Sequence, residues 1–157
     1  MKTAPIDLDA IDRRLLALLQ ADCSLTNDEM ARRSHVSPAT SLRRVRRLVQ
    51  AGVIERRIAI VDPGAAGGGV TAIVEVTLEQ QTAELLDRFE ASVAAAAEVQ
   101  QCYRVASGPD FVLVVLVPDV AAYHAFAHRV LTAQASVRNV RSFFAVKRSK
   151  FEPAVPL

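Results

Sequence analysis

The chain has 157 residues, 51% of them hydrophobic, and 19 Lys and Arg stand against 17 Asp and Glu for a formal charge of +2. That length suits one ordinary domain or two small ones, and the apolar content excludes a disordered chain. Polar residues interrupt every apolar stretch before it reaches about 18 residues, so no bilayer-spanning helix is expected; the opening MKTAPIDLDAIDRR has no apolar region of the kind a secretory signal needs, which points to the cytoplasm.

The charge is unevenly spread. Up to Asp62 there are eleven Lys and Arg against eight Asp and Glu, and from there on eight against nine. Six arginines crowd between Arg43 and Arg57, opposed only by Glu55. A basic patch on a nearly neutral chain is what a polyanion-facing surface requires.

In chain order, Leu8, Ile11, Leu15, Leu18 and Leu19 recur at spacings of three and four and predict a first helix. Thr26 with Glu29 three residues on forms a capping-box pattern that starts a short second helix running to Ser34. Ser37 and Pro38 supply the cap and first residue of a third helix that reaches Gln50 or Ala51, with Gly52 placed to end it. This arrangement is a helix-turn-helix preceded by one helix. Val53 to Val61 then reads as a short extended arm or wing ending at Asp62-Pro63.

Gly64, Gly67, Gly68 and Gly69 carry no Gly-Lys-Ser/Thr, so they read as a hinge rather than a phosphate loop. Beyond it strands and helices alternate: Val70 to Leu78 extended, Ala83 to Ala97 helical, Val99 to Ala106 and Phe111 to Val117 extended, Val120 to Leu131 helical, and Val137 to Val146 extended. The order βαββαβ is that of a ferredoxin-like domain, a four-stranded antiparallel sheet with both helices on one face. Its open face needs a cover, and a second copy is the simplest one, hence a homodimer. The expected fold class is α+β, with a helix-turn-helix domain over 1–63, a hinge over 64–69, and a ferredoxin-like domain over 70–157.

On a helical wheel Leu42, Val45, Leu48 and Val49 of the third helix cluster on one side, which is expected to face the core. Thr40, Arg43 and Arg47 then lie near the opposite pole, with Arg44 beside them and Arg46 on the flank. Arginine reads guanine edges bidentately or neutralises phosphates, and a helix fits the major groove. The expected DNA contacts are therefore Thr40, Arg43, Arg44 and Arg47, with Ser37 bringing the helix N-terminus near a phosphate and Arg56 and Arg57 adding backbone contacts from the wing.

Three segments, LDAIDRRLLALLQAD, SPATSLRRVRRLVQAGVIERRIAIVDP and VQQCYRVASGPDFVLVVLVPDVAAYHAF, resemble the Lrp/AsnC regulators, and the resemblance covers almost the whole chain. It implies a winged-helix DNA-binding domain followed by a βαββαβ sensing domain, assembly into dimers and commonly octamers, and a response to amino acids or related metabolites. It also implies an effector loop at Val105 to Phe111, here with the glycine displaced to Gly108 and Ser107 in its usual place. On this basis Ala106, Ser107, Gly108 and Asp110 are expected to bind effector, with a second hydroxyl from Ser142, where the family often has Thr. Asp110 has an alternative reading as the cap of a Gly-Pro-Asp turn.

Other chemistry is sparse. Cys23 and Cys102 lack metal or redox spacing and read as reduced thiols. His124 and His128 are four apart on a helix, yet Tyr123, Phe126, Ala127 and Val130 form its buried stripe, which leaves both on the solvated side. No nucleophile–base pair or cofactor fingerprint occurs, so neither enzyme activity, nor a cofactor, nor a bound metal is expected. The remaining alternative is an architectural protein that compacts DNA with little regard to sequence.

Overall fold

The computed structural model describes residues 7–67, 69–134 and 136–157; Gly68 of the expected hinge lies outside them, as do residues 1–6. The chain divides into two compact units, one running to Ile60 and joined by Lys150–Leu157, the other spanning Val61–Ser149.

In the first unit Asp9 starts α1 (Ala10–Ala21): its carboxylate accepts from the backbone of Ile11 and Asp12, and Asp12 reaches back to complete a capping box. Helix α2 (Asn27–Ser34) carries the Thr26–Glu29 box that the sequence predicts. It stops at His35, which adopts a left-handed conformation at φ 56°. After the tight turn Ser37 caps α3 (Pro38–Gln50) through Thr40 N, and Gly52 at φ 71° releases the chain. Leu15, Leu19, Met30 and Val45 form the core cluster of these three helices. The expected wing has no regular strand, and Ile58, Ile60 and Val61 stand exposed along it.

The last residues belong to this unit rather than to the sheet domain in which the sequence reading placed them. The side-chain amide of Gln20 explains the attachment. It accepts from Val155 N at 2.6 Å and donates to Val155 O at 3.0 Å, so a helix side chain pairs with the tail as a neighbouring strand would.

The second unit contains β1 (Val70–Leu78), α4 (Ala83–Ala94), β2 (Val99–Arg104), β3 (Phe111–Val117), α5 (Val120–Phe126) and β4 (Val137–Phe144). The strands form one antiparallel sheet in the order β2-β3-β1-β4. Alternation decides the faces. Ala72, Val74, Val76 and Leu78 of β1 and Phe111, Leu113, Val115 and Val117 of β3 are buried, packed with Phe89 and Val93 of α4 and Phe126 of α5. Phe89 and Phe111 meet with ring centroids 4.8 Å apart.

A π-helical turn, Ala127–Thr132, continues α5 and lets the adjacent Val130 and Leu131 both reach the core. The opposite sheet face is different. Register places Gln101, Val114, Ile73 and Phe143 in one row across it, and Tyr103, Val112, Glu75 and Arg141 in the next. Val112, Val114 and Ile73 are only partly buried, while Tyr103 and Phe143 are 53% and 46% exposed.

Candidate nucleic-acid interface and effector loop

The roll of α3 about its own axis decides which side chains it offers to a ligand. Ser41, Val45 and Leu48 are the buried residues of this helix, whereas Leu42 and Val49 remain 40% and 47% exposed. At about 100° per residue the buried side is thus centred nearer Ser41 than the apolar stripe suggested. Ser41 is fully buried, as is Ser34 of α2.

That roll places the arginines of α3 in different surroundings. Arg44 turns inward, its side chain 17% exposed, and donates from Nη1 to Asp9 Oδ2 at 2.6 Å and to Asp12 Oδ1 at 3.0 Å. Arg47, 42% exposed, donates from Nη2 to Asp12 Oδ2. Two of the three arginines expected in the groove, Arg44 and Arg47, are thus bonded to aspartates at the start of α1.

Arg43 is exposed as expected, and Arg46, which the wheel left on the flank, is exposed beside it. With Ala39, Leu42, Arg47 and Gln50 they line one open cleft along α3. The sequence signal for this orientation is Asp12, an acid at a position of the first helix that faces inward.

Ser37 and Thr40 sit at the start of α3, where Ser37 Oγ lies 2.9 Å from Thr40 Oγ1 and accepts from Thr40 N at 3.2 Å. Arg56 and Arg57 are exposed on the arm and border a second cleft with Leu42, Val49 and Ile54. The exposed cations of α3 and the arm are therefore Arg43, Arg46, Arg56 and Arg57, while Arg13, Arg14, Arg32, Arg33 and Lys150 are exposed elsewhere in the unit.

The loop between β2 and β3 is built around Asp110. Its carboxylate is buried and accepts from Leu78 N at 2.7 Å, while its backbone N–H donates to Val76 O at 2.9 Å and its carbonyl accepts from Val105 N at 3.0 Å. The carboxylate thus ties the loop to the end of β1. Gly108 has φ 87° with open space around it, so backbone conformation rather than crowding requires glycine there.

Ala106 and Ser107 are exposed beside it. Ser142 does not join them. It faces the helix-covered side of β4, bonded to the hydroxyl of buried Tyr123, and β1 lies between β4 and the loop-bearing β3. Arg104, at the end of β2, is held by Asp87 at 2.7 Å and Glu90 at 2.5 Å on α4, and lies over the Phe111 ring.

His124 and His128 are exposed, and among the described residues no three His, Cys, Asp or Glu side chains gather as a metal site would need. Burial pushes the Cys102 thiol up from its ordinary pKa. No helix among the described residues is long and apolar enough to cross a membrane.

Residues 71–155 match the family model described as the Lrp/AsnC ligand binding domain, and residues 8–55 that of a winged helix-turn-helix DNA-binding domain. The chain is 36% identical to the Bkd operon transcriptional regulator of Pseudomonas aeruginosa over 96% of its own length and 99% of that protein's. Among solved structures, an AsnC family transcriptional regulator from Agrobacterium tumefaciens superposes with a TM-score of 0.87 at 35% identity, covering 95% of this chain and 97% of that one. A transcriptional regulator from Neisseria meningitidis, solved as a complex with L-Met, superposes with a TM-score of 0.86 at 29% identity, covering 96% and 97%.

Proposed function

The chain belongs to the Lrp/AsnC family of helix-turn-helix transcriptional regulators, and from that premise we propose that it reads double-stranded DNA with Arg43 and Arg46, modulated by an amino acid or related metabolite. The observation that carries this reading is the exposed arginine pair on the open side of the motif's second helix. Arginine side chains there reach base edges, while Ser37 and Thr40 at the helix start and Arg56 and Arg57 on the arm contact phosphates. Arg44 and Arg47 are left out of the contact set.

The second unit supplies assembly and sensing. Its open sheet face, with Ile73, Val112, Val114 and Phe143, is the surface for a second copy, and the dimer is the unit from which larger rings would form. The L-Met in the Neisseria relative supports an amino acid as effector. In this chain Ala106, Ser107 and the backbone at Gly108 are the groups available to it, with Asp110 shaping the loop. The protein acts by binding rather than by catalysis, in the cytoplasm, with no cofactor.

A selection of bound genomic fragments, repeated with each standard amino acid, tests the proposal. Strong enrichment of a few fragments over bulk DNA, shifted by one amino acid, is the expected result. Even coverage of the genome would instead make this an architectural DNA-binding protein.

A further inference from the structure

Asp12 is an acid buried beside a surface proposed to bind a polyanion. It is fully buried, and both of its oxygens are occupied. Oδ1 accepts from Arg44 Nη1, while Oδ2 accepts from Arg47 Nη2 and from Asp9 N at 3.3 Å.

The Nε atoms of Arg44 and Arg47 are buried, while the side chains as a whole are 17% and 42% exposed. Arg44 and Arg47 stand one turn apart on α3. A single carboxylate that holds both fixes the roll of the helix, as two pins fix a shaft. Arg43, Arg46 and Gln50 line the open cleft, where the exposed part of Arg47 joins them while its Nη2 is bonded to Asp12.

We propose that Asp12 is the positioning residue of DNA recognition: it sets the roll of α3 and, together with Asp9 on Arg44, engages the guanidinium groups of Arg44 and Arg47, so that the charge of Arg43 and Arg46 is what the helix offers to DNA. This inference rests on the DNA-binding reading above. Its physical logic is specificity. Phosphate contacts strengthen binding to any sequence, whereas base contacts discriminate, and tying up two cations lowers the first without touching the second.

The test is the salt dependence of full-length protein binding to a random-sequence DNA duplex, where each phosphate-neutralising arginine contributes about 0.9 to the slope of log K against log salt. Arg47→Ala leaves the slope of the unaltered protein in place. Asp12→Asn, which keeps the shape and removes the charge, steepens it by about 0.9 for each arginine released, and adding Arg47→Ala to Asp12→Asn removes one such step. Asp12→Asn also lowers preference for a selected genomic fragment over random duplex.

A purely structural Asp12 would weaken binding to both DNAs by the same factor at an unchanged slope, which overturns the proposal. Loss of about 0.9 from the slope in Arg47→Ala alone overturns it as well, and that variant decides the matter if Asp12→Asn does not fold. Salt-independent or absent binding by the unaltered protein overturns the DNA-binding reading itself, an outcome distinct from either.

Discussion

The two units hold their working surfaces by different forces. In the sheet unit, register and alternation place Val74, Val76, Leu113 and Phe111 in a dry core against Phe89 and Phe126, and the polar groups at its rim follow from that packing. In the helical unit four side chains make the core cluster, and the orientation of α3 depends on a buried acid and two arginines. A small three-helix unit has too little apolar area to specify every angle by packing alone. A buried ion pair adds direction, which is a different contribution from stability.

The largest effect should come from the sheet core. Phe89→Ala removes a fully buried ring and its contact with Phe111, and is expected to cost about 3–5 kcal/mol. Both tyrosines of the chain, Tyr103 and Tyr123, lie in this unit. Tyrosine fluorescence during urea unfolding therefore reports on it alone, and an unchanged midpoint would show that the ring is not structural.

Asp12→Ala is the matching change in the helical unit. It removes the partner of Arg47 and one of the two partners of Arg44, which keeps Asp9, and both arginines are partly solvated, so a loss of about 3 kcal/mol is expected, at the low end for breaking a buried pair. The loss should appear in helical circular dichroism while the tyrosine transition stays in place. A shift of both transitions together would mean that the units unfold as one.

Asp110→Ala sharpens the comparison at the effector loop. It orphans the buried Leu78 N–H, for an expected cost of about 1–3 kcal/mol, read again by tyrosine fluorescence. Calorimetry with amino acids then separates its two readings. Heat of binding retained in the variant assigns Asp110 to the turn, and heat abolished with stability unchanged would make it a ligand contact.

The smallest effect is that of acid. Backbone hydrogen bonding from Asp12, followed by the Arg44 side chain, lowers the Asp9 carboxyl from 3.8 to about 2. Asp22, through Ser24, and Glu29, through Thr26, are also held below their ordinary values, and all three lie in the helical unit. A carboxyl depressed by folding stabilises above its unfolded pKa, and that contribution fades as pH falls through the folded one. Between about pH 4 and 2 the helical signal should thus weaken before tyrosine fluorescence changes, and the reverse order would contradict the assignment.

Much of the architecture was legible because it rests on local chemistry. The Thr26–Glu29 box, Pro38 after Ser37, the helix-ending Gly52 and the alternation in Val70 to Leu78 each act within a few residues, and the family segments agreed with them. The Asp110 turn was half legible, since a Gly-Pro-Asp sequence permits a cap but does not name the Leu78 N–H that it satisfies.

What the sequence determined by itself was the order of elements and the relative angles of residues on each helix, because both follow from backbone geometry. Only the tertiary structure decided which way those angles point. The wheel correctly set Arg43, Arg44, Arg46 and Arg47 relative to one another, but the direction of the core depends on what a distant segment offers. There Asp12, more than thirty residues away in the chain, captures Arg44 and Arg47 and leaves Arg46 in the open. The docking of the tail through Gln20 and Val155 has the same origin, a single pair of hydrogen bonds across 135 residues that no local pattern encodes.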